Sequence, residues 1–158
     1  MDAVIVAAGL GSRIRPLSND IPKCMLEVQS QPMLHRALTT FRDLNVTKTV
    51  VVGGYKSDKL TLSPGTELVV NDQYLRNNIL HSLAYARPVI DSNGAILVSY
   101  SDIIFRQNVV ERLLSEDMQD ISILVDQSWG KRYVGRTLHP LSEAEAAQFD
   151  SNGRLLRI

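Results

Sequence analysis

The sequence predicts an α/β protein with a mostly parallel central sheet. Apolar, strand-like runs alternate with amphipathic segments along most of the 158 residues, which is typical of a parallel sheet covered by helices. The first run, 3–8, carries no charge and passes directly into a turn containing Gly9 and Gly11. Together these observations favour a Rossmann-like three-layer α/β/α fold, built as a single domain over 1–158.

Five short apolar runs are the expected strands, because strands buried on both faces of a parallel sheet read as continuous hydrophobic stretches. They lie at 3–8, 48–52, 67–70, 95–100 and 121–125.

The expected helices have apolar residues at helical spacing. The first is expected at 33–44, and Pro32 is well placed to open it. Its apolar face comprises Leu34, Ala37, Leu38 and Phe41. A second helix, 75–86, ends before Pro88. Its inward residues would be Ile79, Leu80, Leu83 and Ala86. A third is expected at 109–114.

Shorter elements complete the chain. We expect an extended piece at 25–28, a short helix at 55–60, and turns at 63–65 and 92–94. After Trp129 polar residues dominate. Ser142 and Glu145 have capping-box spacing, and 149–158 is typical of a strand, an Asn-Gly turn and a second strand.

The composition limits which cellular compartment and which binding partners we expect for the protein. Lys plus Arg and Asp plus Glu number 17 each, so the overall charge favours neither nucleic acid nor an anionic membrane. The apolar runs are too short to span a bilayer, and Asp2 together with the early glycines argues against a signal peptide. The single cysteine, Cys24, excludes an internal disulfide and is expected to pack. We therefore expect a cytoplasmic protein; the sequence carries no signal of oligomeric state.

The segment from Ala7 to Lys23 predicts a polyphosphate site. Gly9 and Gly11 allow the backbone to approach a ligand, so the amides from Ala8 to Ser12 can meet anionic oxygens. Arg13, Arg15 and Lys23 add positive charge. The spacing matches neither a dinucleotide fingerprint, which needs a third glycine where Ile14 stands, nor a P-loop.

These residues resemble the signature of the nucleotidyltransferases that make sugar nucleotides and cytidylyl-linked head groups. That signature is a Gly-x-Gly-x-Arg loop, a proline and a Pro-Lys pair, and here it comprises Gly9, Gly11, Arg13, Pro16, Pro22 and Lys23. The resemblance implies that Ala7, Ala8, Gly9, Gly11 and Ser12 bind the nucleotide. It also implies that Arg13 and Lys23 are catalytic.

Asp102 follows the strand 95–100 and is a candidate metal ligand. A carboxylate at the end of a central strand beside a phosphate loop suits Mg²⁺ that bridges phosphates. The alternative is that Asp102 caps the following segment. The resemblance favours the metal, since the family carries it on a Gly-Asp pair at this point; here Ser101 replaces the glycine.

Asn77 and Ser82 are the candidate base contacts. An amide both donates and accepts, which suits a pyrimidine edge. The resemblance is closest to the branch that acts on phosphocholine and aminoalkylphosphonates, and it implies that this pair holds cytosine. The alternative is that Asn77 or Asn78 caps the helix that follows.

Asp126, Trp129 and Tyr133 are candidate acceptor contacts. Two aromatic rings and a carboxylate can enclose an amine or a quaternary ammonium group. The ordinary interpretation, that Trp129 packs and the neighbouring basic residues form a solvated face, is the one we favour.

The resemblance implies Mg²⁺-dependent transfer of CMP from CTP to phosphocholine or 2-aminoethylphosphonate, with release of pyrophosphate. Two alternatives remain open: uridylyl or thymidylyl transfer to a sugar 1-phosphate, and a non-catalytic CTP-binding module. Members of the family usually continue further and supply a second acidic metal ligand, so we expect the C-terminal part of the usual domain to be missing.

Overall fold

The structure, a computed structural model, describes residues 1–90, 94–115, 120–137 and 141–158. The chain divides into two compact units, Met1–Glu111 and Arg112–Ile158. That 1–158 forms one domain stays a prediction. Of the turn expected at 92–94, 92 and 93 lie outside the described residues.

Strands and helices alternate through the first unit as the sequence predicts. The strands among the described residues are β1 (Asp2–Ala7), β2 (Glu27–Val28), β3 (Gln31–Pro32), β4 (Lys48–Gly53), β5 (Thr66–Val70), β6 (Ile96–Tyr100), β7 (Gln148–Phe149) and β8 (Leu155–Arg157). The helices are α1 (Met33–Asp43), α2 (Ile79–Ala84), α3 (Gln107–Ser115) and α4 (Trp129–Tyr133), with single 3-10 turns at Ser12–Ile14, Lys23–Met25, Ser57–Lys59 and Leu141–Glu143.

The central sheet has four parallel strands in the order β5-β4-β1-β6. Going along the chain, β4 lies beside β1 and β5 lies beside β4. The next strand, β6, then lies on the other side of β1. In open parallel sheets ligands bind at the carboxyl ends of the strands, where the order reverses in this way. The topology thus confirms the predicted Rossmann-like α/β fold and directs attention to the end of β1.

The centre of the sheet is covered on both faces. Val4, Val50 and Val52 are fully buried and pack with Ala86, which follows α2. Ile5 and Val51 alternate onto the opposite face and are also fully buried. Continuous apolar strands thus supply both sides of the core.

The predicted apolar face of α1 is confirmed, whereas the predicted start and part of the predicted inward face of α2 were wrong. Leu34, Ala37, Leu38 and Phe41 are all buried. Pro32 belongs to β3 and caps α1 instead of opening it.

The second helix begins four residues later than predicted. The Asn78 side chain accepts from the His81 amide and starts α2 there. Ala86 is fully buried as predicted, but Ile79 and Leu80 are 50% and 71% exposed, so their predicted inward packing was wrong.

The fifth predicted strand was also wrong. Residues 121–125 form no strand, and Ile121 is 83% exposed. A strand needs a neighbour for its backbone groups, and this apolar run pairs with none of the described strands.

The second unit ends in the predicted hairpin. β7 and β8 pair antiparallel, and Asp150 Oδ1 accepts from the Asn152 and Arg154 amides inside the turn. Where Ser142 and Glu145 have the spacing of a capping box, the structure has a 3-10 turn, Leu141–Glu143. Within the described ranges, no helix combines the length and the apolarity needed to cross a membrane.

Candidate active site

The glycine loop leaves the carboxyl end of β1 and lies open. Ala7 and Ala8 are buried, but a Cβ added to Gly9 would meet no atom within 4 Å. Gly11 has a φ of +62°, and a Cβ there would lie 3.1 Å from Lys23 Cβ. Gly11 therefore needs glycine for its conformation and its contacts, whereas Gly9 exposes bare backbone.

Two hydrogen bonds hold the loop from behind. The fully buried Ser18 donates from Oγ to the Gly11 carbonyl at 2.8 Å. Tyr55 donates from its hydroxyl to the Asn19 carbonyl, also at 2.8 Å. The loop is thus held by side chains that the sequence pattern alone did not single out.

Gly54 packs directly against Ala8, the residue that follows β1. A Cβ there would lie 2.8 Å from the Ala8 carbonyl oxygen and 2.9 Å from Ala8 Cβ. Gly54→Ala must therefore displace the backbone, and we expect a loss of about 1–3 kcal/mol in the free energy of unfolding. Urea denaturation measures it. Gly94→Ala, whose Cβ would meet nothing within 4 Å, is the matched control, and equal losses in both variants would contradict this account.

Lys23 and Asp102 meet beside this loop although 79 residues separate them. Lys23 Nζ donates to Asp102 Oδ2 at 2.6 Å, and each side chain is about one-third exposed. They share a cavity of about 340 Å³, within the size range of small-ligand sites. Its lining includes the predicted residues Ala7, Gly9, Gly11, Ser12, Arg13, Lys23 and Asp102.

Asp102 fits Mg²⁺ that is shared with a phosphate ligand. Among the described residues no group of three or more His, Cys, Asp or Glu side chains could hold a metal. Mg²⁺ is usually held by one or two carboxylates together with substrate phosphates, and one carboxylate facing a phosphate loop meets that requirement.

Cys24 and Ser101 pack beneath the ion pair. Burial raises the pKa of the Cys24 thiol to about 11, although a hydrogen bond from the Ser101 side chain opposes this; the charge of Asp102 raises it further. Cys24 is buried, which confirms the packing role expected for it. A nucleophilic cysteine would act as the thiolate, and the raised pKa disfavours that form.

The thiol should be inert in the folded protein. With a pKa of about 11 against 9 for the unperturbed thiol, the thiolate fraction at pH 8 is about a hundredfold smaller than in the unfolded chain. Iodoacetamide labelling followed by mass spectrometry should show at least this ratio between native protein and protein in urea. Comparable rates in both would refute it.

Asn77 and Ser82 come together on a third residue, Asn71. Asn71 is fully buried at the end of β5, and its Nδ2 donates to Asn77 Oδ1 at 3.0 Å and to Ser82 Oγ at 2.9 Å. Asn77 Nδ2 donates back to Asn71 Oδ1 at 3.1 Å. The helix cap is Asn78, so Asn77 is not used for capping. Neither Asn77 nor Ser82 lines the cavity, but Ile79 does.

The candidate acceptor residues lie in the unit Arg112–Ile158 and already contact its own cations. Arg132 donates to Asp126 at 2.5 Å, and this hydrogen bond lowers the pKa of Asp126. Trp129 and Tyr133 form an edge-on pair at 5.5 Å, and the Arg136 guanidinium lies 4.7 Å from the centre of the Tyr133 ring. The rings can thus hold a cation, while their role toward an acceptor stays a prediction.

Comparison with known proteins identifies the family. A family model described as the MobA-like NTP transferase domain matches residues 3–156. The chain belongs to this family. The resemblance inferred from the loop is therefore confirmed, and both cytidylyltransferases and a sugar nucleotidyltransferase are among the proteins that this NTP transferase domain matches.

Individual relatives of this NTP transferase domain share about a third of its residues or fewer. A CTP:phosphoglutamine cytidylyltransferase from Campylobacter jejuni is 30% identical over all of the chain and 65% of the relative. A UTP–glucose-1-phosphate uridylyltransferase from Haloferax volcanii is 33% identical over 80% of the chain and 54% of the relative.

A solved structure of a related protein also resembles this chain. The CTP:phosphocholine cytidylyltransferase from Streptococcus pneumoniae superposes with a TM-score of 0.56 at 27% identity, covering 68% of this chain and 49% of that one. The NTP transferase domain described here thus spans about half to two-thirds of the length of these three proteins.

The sequence interpretation missed Gly54, Ser18 and Asn71. A signal existed for two of them. The Gly53-Gly54 pair directly follows a buried strand, and Asn71 directly follows β5, a position comparable to that of Asp102 near the end of β6. Ser18 gave no signal, because a serine in a polar loop is ordinary until its burial is known.

Proposed function

We propose that the protein is a cytidylyltransferase that transfers CMP from CTP to a phosphate or phosphonate oxygen. The observation that carries this proposal is the meeting of Lys23 and Asp102 at 2.6 Å beside the glycine loop. These are two charged residues that the reaction needs beside the triphosphate: one to neutralise phosphate and one to hold the metal. The cytidylyltransferases among the relatives support CTP as the nucleotide.

In the reaction an acceptor oxygen attacks the α-phosphorus in line. The new P–O bond forms as the bond to the β-phosphate oxygen breaks, and pyrophosphate leaves with that electron pair. Catalysis of this kind depends on positioning and charge stabilisation more than on covalent intermediates. It therefore suits a site built from backbone amides and cations.

The predicted residues in and beside the cavity have distinct tasks. The amides from Ala8 to Ser12 bind phosphate oxygens, and Gly9 allows their approach. Arg13 stabilises the charge of the departing pyrophosphate. Lys23 lies between the α-phosphate and the acceptor anion and reduces their repulsion. Asp102 would hold Mg²⁺, which would neutralise phosphate charge when bound.

The acceptor carries a phosphate or phosphonate group. Phosphocholine and 2-aminoethylphosphonate are the acceptors favoured by the sequence, and the relative from Campylobacter jejuni adds phosphoglutamine. All three combine an anionic group that attacks with a remote polar or cationic group. Asp126, Trp129 and Tyr133 stay the candidates that the sequence offers for contacts with such a group.

One other function has a supporting observation. Uridylyl transfer to glucose 1-phosphate is supported by the uridylyltransferase among the relatives. The non-catalytic CTP-binding module stays an alternative that the sequence leaves open.

One assay separates these functions. Pyrophosphate release is measured with Mg²⁺ for each of the four NTPs against phosphocholine, 2-aminoethylphosphonate, phosphoglutamine and glucose 1-phosphate. We expect release with CTP and one of the first three acceptors. Release with UTP and glucose 1-phosphate would favour the sugar branch, and CTP binding without release would favour the binding module.

A further inference from the structure

We propose that Asn71 is a positioning residue that sets the base preference of the site by fixing the amide orientation of Asn77. The inference rests on the proposed function, since it concerns how CTP is distinguished from UTP. Asn71 is fully buried and contacts both candidate base residues.

The polarity of the Asn71 amide is fixed by the backbone. The Gln73 N–H donates to Asn71 Oδ1 at 2.9 Å, and a backbone N–H can only donate. Asn71 Oδ1 must therefore face Gln73, which directs Nδ2 toward Asn77 and Ser82. Since Asn71 Nδ2 can only donate, Asn77 must turn its Oδ1 toward it, as observed at 3.0 Å.

A second hydrogen bond, from Asn77 back to Asn71, joins the two amides reciprocally. Asn77 Nδ2 donates to the same Asn71 Oδ1 at 3.1 Å. Reversing the Asn77 amide would set its Nδ2 against Asn71 Nδ2 and its Oδ1 against Asn71 Oδ1, leaving one N–H of the buried Asn71 amide without an acceptor. Such groups are costly inside a protein, so the orientation of Asn77 is fixed.

Ser82 belongs to the support and not to the recognition surface. It is 4% exposed, accepts from Asn71 Nδ2, and donates to the Asn78 carbonyl at 3.2 Å. Asn77 is half-buried and retains one amide N–H and one lone pair on Oδ1 beyond its bonds to Asn71. The base contact therefore falls on Asn77.

A fixed amide distinguishes cytosine from uracil. Cytosine presents an amino donor beside a ring-nitrogen acceptor, and uracil presents a carbonyl acceptor beside a ring N–H donor. An amide that could reverse would satisfy either base. One that is held in a single orientation satisfies one base and leaves unpaired groups with the other.

The test compares two isosteric substitutions that add the same charge. Asn71→Asp replaces the Nδ2 donor by a second acceptor, so Asn77 Oδ1 faces an oxygen and its orientation is released. Asn78→Asp lies on the surface and keeps an oxygen for the His81 amide. Affinities for CTP and UTP are measured with Mg²⁺ by calorimetry on the full chain, and thermal unfolding confirms that each variant folds.

We expect wild-type protein to prefer CTP and Asn71→Asp to lower the CTP-to-UTP affinity ratio about tenfold, the value of roughly one hydrogen bond. Asn78→Asp should leave the ratio within about twofold of the wild-type value. A general loss of stability would weaken both nucleotides equally and leave the ratio unchanged. If Asn71→Asp does not fold, Asn71→Ser, which is uncharged and cannot hold both partners, is measured instead.

The outcomes separate the two proposals. Wild-type protein that binds CTP no better than UTP overturns the proposed function and this inference with it. Wild-type preference for CTP that survives in a folded Asn71 variant overturns the inference and leaves the proposed function intact.

Discussion

Replacing Lys23 by alanine should reduce pyrophosphate release by about two to three orders of magnitude, the effect of removing a group that stabilises charge in the transition state. Lys23 Nζ lies in the cavity of the glycine loop, 2.6 Å from Asp102. Without this cation, the acceptor anion approaches the α-phosphate against uncompensated repulsion. Arg13→Ala should act in the same direction through the departing pyrophosphate.

The fold should survive the Lys23 substitution. Both partners of the ion pair are about one-third exposed, so solvent screens the pair and it contributes little to stability. The matched control is Lys59→Ala, which removes a lysine from an exposed pair with Asp58 outside the cavity. Continuous pyrophosphate detection and thermal unfolding are measured for both variants. A turnover like that of wild-type protein in folded Lys23→Ala would exclude a catalytic role for Lys23.

The parts of this site that the sequence predicts correctly depend on strand order. Parallel strands end at one edge of a sheet, so residues that follow two neighbouring strands, such as Gly9 after β1 and Asp102 after β6, meet whatever the length of chain between them. That rule needs only the positions of apolar runs, which local composition reveals. The same local information identifies α1, because its apolar face repeats every three to four residues.

Other features depend on which groups find partners in three dimensions. Residues 121–125 are apolar enough for a strand, but no described strand pairs with them. The start of α2 depends on the cap at Asn78, and six helical residues rather than twelve follow from it. The Asn71 network requires three side chains to meet at bonding distance, and such distances cannot be derived from spacing along the chain.

Asp102→Asn should change nucleotide binding in opposite directions with and without Mg²⁺. In metal-free solution, Asp102 engages Lys23 and also repels the triphosphate. Asparagine removes the charge and releases Lys23, so metal-free CTP binding should strengthen about fivefold, near the upper range for a solvent-screened pair. With Mg²⁺ the variant lacks the carboxylate that would share the metal with phosphate, so Mg²⁺ should no longer strengthen binding.

Pyrophosphate release by Asp102→Asn should fall by about two orders of magnitude or more, because charge neutralisation of the phosphates is lost. Asp58→Asn, from the exposed pair with Lys59, removes the same charge outside the cavity and should retain the Mg²⁺ dependence of the wild-type protein. Calorimetric titration of CTP with and without Mg²⁺ measures the effect independently of turnover. If Asp102 merely positioned Lys23, the variant would keep the Mg²⁺ enhancement of CTP binding, because the metal would then be held by phosphate alone.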